Sequence, residues 1–511
     1  MDDVNLIKSA YEAPSEEIAQ YILKSAGINL SPDDLQKTIS TGTGLVAYDL
    51  QAPAKNLYPV ATPVRNSIPR VGGGIGLATN WRQVNMIYGS GFDNSGWVPE
   101  GQRAGQMSYS TSTKSASYAT LGEEDALTFE AQHAARTFED LRASMTMRLL
   151  QKTFLKEEFG ILYGNNSLQL GSPSAPTLSA AGSGATLPAL TYSVIVVPLT
   201  AEGYYNSSVS AGVATVNNVT GADGKSFTIN GGSGNRSPNT TQAITLGQTL
   251  SATVPVVNGA VAYAWYVGAA GAETLQAITT INSATFTAPL ASGRQGATAI
   301  TQDCSTNNTG ATAWNGLLTT ALTAGSNAYV SQLATGTAGT GTVLTPSGRG
   351  SVVEIDNALL AMWNNYQISP TVIYVHAQEL KNITNKVLQS SSAGPLLTYF
   401  KDPDNMEYRL AAGGVIEQYF NPFHLDGGRK IPVKIHPKAV PGTIMMWCEN
   451  LPVQYQSNHV PQVAEMKVRQ DFYQIDWPLV TRQRQAGVYI EEVLVVYAPF
   501  AMGIIQNIGN G

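Results

Sequence analysis

Along this chain of 511 residues the spacing of apolar side chains changes several times, and each change marks a part. From Ala126 to Gly164 there is no proline and no glycine before Gly160. Phe138, Leu141, Met145 and Leu149 recur there at helical spacing, with Leu150, Phe154 and Leu155 one step around the barrel. Charged residues take most of the other positions. Asp125 is the expected cap, Glu123 and Glu124 suit the helix's positive end, and Gly160 or Gly164 is the expected stop. Roughly 25 to 30 residues of helix make a rod of about 40 Å. Its apolar face is partial, so it must lie across something.

Before the rod the signals are weaker. Ile18, Tyr21, Ile22 and Leu23 predict one short amphipathic helix, and Ser31-Pro32-Asp33-Asp34 opens another. Neither is long enough to be stable alone. Prolines 53, 59, 63 and 69 then exclude both helix and central strand, and LYPVATPVRNSIPRVGGG predicts an extended arm. Residues 78–121 read as a long two-stranded excursion with a turn-rich tip, GFDNSGWVPEGQRAGQ. A hairpin with so few large apolar residues is marginal in isolation and is expected to lie on another molecule or domain.

After the rod, alternation replaces helical spacing. Tyr192, Val194 and Val196 alternate with Ser193, Ile195 and Val197, and Tyr263 and Trp265 alternate with Ala262 and Ala264. Short strands separated by Gly/Asn/Ser turns predict a β-sandwich over residues 171–309. Beyond a Gly/Thr-rich linker, Ile355, Leu359, Met362 and Tyr366 mark a helix, PTVIYVHAQEL a strand, and Leu380, Ile383 and Val387 a second helix. IPVKIHPKAVPGTIMMW predicts two strands around a turn, and VYIEEVLVVYAPFAMGIIQNI a final buried pair. The fold class is α+β with an all-β insertion.

Composition sharpens this division. Charged residues are 13% of the chain, about half the usual share, and 49 are glycine, which suits β-structure and surfaces buried between subunits. Between Gly171 and Thr309 only about seven residues are charged. The net charge of −6 gives no footprint for gripping nucleic acid. Cys304 and Cys448, the only cysteines, read as two free thiols and exclude a cysteine-built zinc site. No apolar run reaches the 18 residues a membrane span needs, and the acidic start MDDVNLIKSAYEAPSEE predicts no secretory signal. The expectation is a soluble protein, cytoplasmic when made, with no membrane contact.

Candidate chemistry is sparse. GGGIG at 72–76 lacks the Gly-Lys-Ser/Thr of a phosphate loop and reads as a bend. His133, His376, His424, His436 and His459 show no metal-binding spacing, and there is no Gly-x-Ser-x-Gly elbow. Asp471 with Asp476, and Glu491 with Glu492, read as solvated or salt-bridged surface acids. Tyr192, Tyr204, Tyr205, Tyr263, Trp265 and Tyr266 form either a sandwich core or a carbohydrate-stacking face. The reading is of a non-enzymatic protein with no cofactor, no metal and no catalytic residue.

The order of parts resembles a tailed-bacteriophage major capsid protein of the Hong Kong 97-like fold. GWVPEGQ is similar to the tip of that family's extended loop, and EEFGILYGNNSLQLGSP to the turn ending its spine helix. IDNALLAMWNNYQISPTVIYVHAQELKNITNKV resembles its axial helix–strand–helix, and the closing strands resemble its central sheet. TYSVIVVPLTAEGYYNSS and VNGAVAYAWYVG resemble an immunoglobulin-like or fibronectin type III-like domain.

The resemblance implies an N-terminal arm over 1–77, an extended loop over 78–121, and a spine helix with the start of a peripheral domain over 122–170. It implies a sandwich on the outer surface over 171–309, and an axial domain with the remaining peripheral strands over 310–511. Copies would form pentamers and hexamers that close into an icosahedral shell around packaged double-stranded DNA. A scaffolding protein, a portal and a decoration protein are the further partners it suggests, with assembly in the host bacterial cytoplasm and a final place in the virion. Contact between copies is expected at Tyr58, Arg65, Arg70, Trp81, Tyr88, Trp97, Glu100, Arg103 and Lys114. Lys114, the only lysine of the hairpin, is also the sole candidate for the isopeptide cross-link some relatives make. The insert has two open roles, stabilising the particle or binding host surface glycans. The rival classes are a β-sandwich adhesin or surface-layer protein, which needs a signal peptide, and an enzyme with an accessory sandwich, which needs a site.

Overall fold

In the computed structural model the described residues are 61–86, 97–105, 110–135, 140–307, 312–347, 350–389, 398–401, 408–411, 416–424, 427–451 and 462–510. The chain divides into two compact units, 1–57 with 135–139, and 58–134 with 140–511. The first lies outside the described residues except for Ala135, so the architecture below is that of the second. The two short helices expected near residues 18 and 31, most of the arm, Phe138, Tyr58 and Tyr88 also lie outside the described residues.

The rod is shorter than the sequence suggests. It runs Leu141–Tyr163, 23 residues or about 34 Å, and Asp140 rather than Asp125 is its cap. The Asp140 carboxylate accepts from the backbone N–H groups of Arg142 (3.1 Å) and Ala143 (3.3 Å). Gly164 ends the helix, as expected. What precedes it is a strand, Ala119–Thr128, then a separate short helix, Phe129–Ala135. The strand wins over helix because a partner is waiting: Ala119–Thr128 pairs antiparallel with Gln483–Glu492 along its whole length. That pairing is one edge of a four-stranded sheet ordered Arg70–Val71, Ala464–Asp476, Gln483–Val496, Ala119–Thr128.

The long helix joins two cores. Near its start, Met145 and Leu149 pack on Ala486 and Val488 of the long sheet. At its end, Ile161, Leu162 and Tyr163 enter the central core with Trp314, Leu317, Trp447 and Phe500. The partial apolar face is therefore a buried line that moves round the helix as it passes from one sheet to the other.

The central sheet has six strands, in spatial order Tyr329–Gln332, Met502–Gln506, Ile444–Trp447, Val372–Val375, Arg429–Ile435 and Gln418–Asn421. Period-two alternation splits its faces. Ile373, Val375, Ile444 and Met446 meet Ile355, Leu359 and Ile383 of the helices Val353–Tyr366 and Ala377–Gln389. Val372, Tyr374, Met445 and Trp447 face the end of the long helix. The two strands expected around a turn are Arg429–Ile435 and Ile444–Trp447, with Val372–Val375 between them in the sheet, parallel to the first and antiparallel to the second. One expectation is corrected. The closing pair is split between sheets: Gln483–Val496 belongs to the long sheet, and the turn Pro499–Ala501 carries the chain to Met502–Gln506 in the central one.

The insert is a sandwich. Three strands (Ser283–Phe286, Thr249–Thr253, Thr177–Ala181) face four (Thr274–Thr279, Ala262–Gly268, Leu190–Leu199, Thr240–Ile244). Tyr192, Val194, Val196, Tyr263, Trp265 and Val267 point between the sheets and meet Leu250, Ala252, Ala284 and Phe286. Ile195, Val197, Ala264 and Tyr266 point the other way, under a second layer containing Val213, Ala297 and Ile300. Burial on both faces is why VIVV reads as a continuous apolar run. Cys304 and Cys448 are both buried free thiols, and among the described residues no helix is long and apolar enough to cross a membrane.

Candidate functional site

The most strongly built polar site joins the end of the arm to the long helix. Glu157 and Glu158 lie on the helix and Glu492 on the long sheet, each at most 1% exposed. Carboxylates are rarely so buried unless they are paired. The partners come from the arm. Arg65 Nε donates to Glu157 at 2.6 Å, and Arg70 bonds both Glu157 and, at 2.7 Å through Nη2, Glu492. The backbone N–H groups of Val64 (3.0 Å) and Arg65 (2.6 Å) donate to the two oxygens of Glu158. The Arg65 guanidinium also lies over the Phe154 ring, 3.9 Å from its centroid, and Arg70 lies near Phe472.

On the far side, His436 Nε2 is 2.7 Å from Glu158 Oε1, while its Nδ1 accepts from the Lys438 N–H. That second bond puts the ring proton on Nε2, so a neutral histidine donates to Glu158. Burial, and then the charge of Glu157, push the Glu492 carboxyl up to about 8 against the pull of Arg70.

Arg65 and Arg70, expected at contacts between copies, are thus used within the chain, because buried carboxylates of the same subunit require them. Glu492 is also a correction: it is no surface acid, whereas Glu491 pairs with Arg469 at 2.5 Å near the surface. Asp471 and Asp476 are exposed and ion-paired, as expected.

The hairpin is the second candidate surface. Its strands, Ala78–Met86 and Ser110–Ser117, pair with each other and, among the described residues, with no third strand. Of the two expected supports, another molecule or another domain, the stem takes the second: it leans on its own subunit. The Trp81 indole N–H donates to the Val496 carbonyl at 3.0 Å, Val84 N–H to Tyr497 O at 2.9 Å, and Asn327 Nδ2 to Asn85 O at 2.9 Å. Trp81 therefore anchors its own stem. Beneath it, a cavity of about 360 Å³ is lined by Trp81, Gln83, Lys114, Trp314 and Leu494. Lys114 sits there half-buried, whereas Glu100 and Arg103 are exposed. The tip is different. Residues 97–105 are exposed throughout, and Trp97 is 93% exposed.

No family model matches the sequence, and no curated protein matches it. Among solved structures, the capsid of cyanophage P-SCSP1u is similar at a TM-score of 0.40 and 9% identity, over 94% of this chain and 100% of that one. The capsid of the native GTA particle gives 0.39 and 9%, over 94% and 100%. Mycobacterium phage Bobi gives 0.38 and 9%, over 94% and 98%. Likeness of this degree leaves function to the chain's own geometry.

The third feature is the root of the insert. The chain leaves the helix at Gly164 and returns beside it, where the Gly316 N–H donates to Gly164 O at 2.7 Å. Asn165 holds both passing strands, giving Nδ2 to Leu168 O and Ser305 O. Further ties reach the central domain: Asn282 and Asn507 bond reciprocally, Ser283 Oγ accepts from Gly339, and the Tyr205 hydroxyl donates to Ala439 O. Tyr192, Tyr263, Trp265 and Tyr266 are at most 3% exposed, so they are core, and no stacking face is built from them. Among the described residues no group of acids, histidines or cysteines could hold a metal ion.

The sequence reading missed the acid cluster. Its signals were present as acids set in otherwise buried rows: Glu157 among Leu149, Thr153 and Ile161 on the helix, and Glu492 among Val488, Ile490 and Leu494 on the strand.

Proposed function

We propose that this chain is the major capsid protein of a tailed phage, a non-enzymatic subunit of Hong Kong 97-like fold that closes with copies of itself into a shell around double-stranded DNA. The observation that carries this reading is the hairpin. A two-stranded stem is anchored on its own subunit and projects a tip, 97–105, whose Trp97 has no cover. An indole left in water costs about 2 kcal/mol or more of available burial, and a second copy would supply it. Ile75, Leu77, Leu479 and Val480 are similarly exposed, at 60% or more, at other margins of the subunit. Spread apolar margins on a low-charge chain suit many cooperative contacts between copies.

In this reading pentamers and hexamers are the building units, with scaffolding protein, portal and decoration protein as accessory partners. The immunoglobulin-like insert is a brace. Its ties to Asn165, Asn507 and Ala439 fasten the end of the long helix to the central domain from outside. The Tyr192 hydroxyl, which donates back to Pro188 O at 3.0 Å, supports the immunoglobulin-like assignment as a tyrosine corner would.

Electron micrographs of the purified chain, or of lysates co-expressing a scaffold, test the proposal. Closed shells are expected, and they should vanish when residues 87–109 are replaced by a two-residue turn. Dispersed single subunits under every condition would refute it.

A further inference from the structure

Two parts of the hairpin each lack what the other has. The first is the groove beneath the stem, about 360 Å³, to which Trp81, Trp314, Leu494 and Val496 give an apolar lining. Polar groups beside them are engaged within the subunit. The Trp81 indole N–H donates to Val496 O. Asn315 Oδ1 accepts from the Asn166 and Ser167 N–H groups at 2.9 and 3.2 Å, and its Nδ2 donates to Ser167 Oγ at 2.9 Å. Lys114 is different. It is the only charged residue of the lining, and among the described residues no acid lies within ion-pair distance of it. An ammonium group half removed from water, with no counter-charge, favours an incoming carboxylate.

The second part is the tip. Gln102 N–H donates to Pro99 O at 3.1 Å, closing a tight turn in which Gly101 takes φ +79°. Glu100 stands at the corner of that turn, exposed, and among the described residues it makes no ion pair, not even with Arg103. Three residues before it is Trp97, with no cover. An indole and a carboxylate are therefore presented together by a turn already formed, which lowers the entropic cost of docking. The exposure of Trp97 also shows that a tip does not fill the groove of its own copy.

We propose that the groove beneath the stem is the seat for the tip of a second copy: Trp97 enters against Trp81 and Trp314, and the Glu100 carboxylate pairs with Lys114 Nζ. This rests on the capsid reading above and adds to it the place where the tip lands. The lining has no acid for Arg103 to meet, so the groove selects the carboxylate of the tip over its guanidinium. Tip and groove are different surfaces, so the contact runs head to tail. Copies joined in this way form a ring when the rotation closes, and do not pair off as symmetric dimers. A closed ring fills every groove.

Charge reversal in the full-length chain tests the seat. Lys114→Glu and Glu100→Lys each set like charges together, and each should cut the yield of sedimenting shells about tenfold or more. The double variant restores the pair in the opposite sense and should return to within about threefold of wild type. Urea unfolding of the Lys114→Glu subunit should keep the wild-type midpoint, because that ammonium has no partner to lose. Wild-type shell yield from either single variant, or a double variant no better than the singles, would overturn the seat and leave the capsid reading standing. A wild-type chain that never forms shells would overturn that reading, and the seat with it. Should a variant fail to fold, wild-type particles still decide. Carbodiimide coupling in particles grown from mixed heavy- and light-isotope copies should join Glu100 of one copy to Lys114 of another as a heavy–light pair. Absence of that link from the particles would overturn the proposal.

Discussion

The sandwich and the hairpin are both β-structure projecting from the same framework, and they are stabilised in opposite ways. The sandwich brings its own interior. Trp265, Tyr266, Leu250 and Leu275 are fully buried among residues of the insert alone. The hairpin brings almost none: Val84 and Ala116 are only partly buried, against a core that belongs to the rest of the subunit. A projecting element can be a folded module or a tether waiting for a surface, and the count of its inward apolar residues tells which.

The comparison breaks most visibly at Trp265. Trp265→Ala removes the centre of the sandwich core together with the indole bond to Thr279 (2.8 Å) and should cost about 3 to 5 kcal/mol. Urea unfolding followed by circular dichroism checks this, and an effect under about 1 kcal/mol would mean the insert does not rest on its own interior. At the other extreme, Trp97→Ala should change subunit stability by less than about 0.5 kcal/mol while sharply reducing shell yield. The same unfolding titration, paired with sedimentation of lysate particles, separates the two effects. Equal losses of stability from both substitutions would erase the distinction.

The same contrast explains what could be read from the sequence. The sandwich was legible because alternation of Tyr192, Val194 and Val196 against Ile195 and Val197 is a local signal that its own strands satisfy. The long helix was half legible. Met145, Leu149 and the stop at Gly164 were in place, but the segment ahead of it became a strand because Gln483–Glu492, more than 350 residues away, offers it a partner. The acid cluster was illegible for a similar reason. Glu492 looks like any surface acid until Arg70 and Glu157 are brought beside it by pairing that no local window contains. Arg65 and Arg70 were noticed as arm residues, but their target was placed on another copy rather than on Glu157 and Glu158.

The central claim is that the hairpin's tip is completed only by a neighbouring copy. Hydroxyl-radical footprinting of Trp97, read by mass spectrometry in free subunits and in assembled particles, tests it most directly. The account predicts that Trp97 oxidises readily in the free subunit and falls to the level of the buried Trp265 in the particle. Oxidation of Trp97 that stays as fast in particles as in subunits would contradict it.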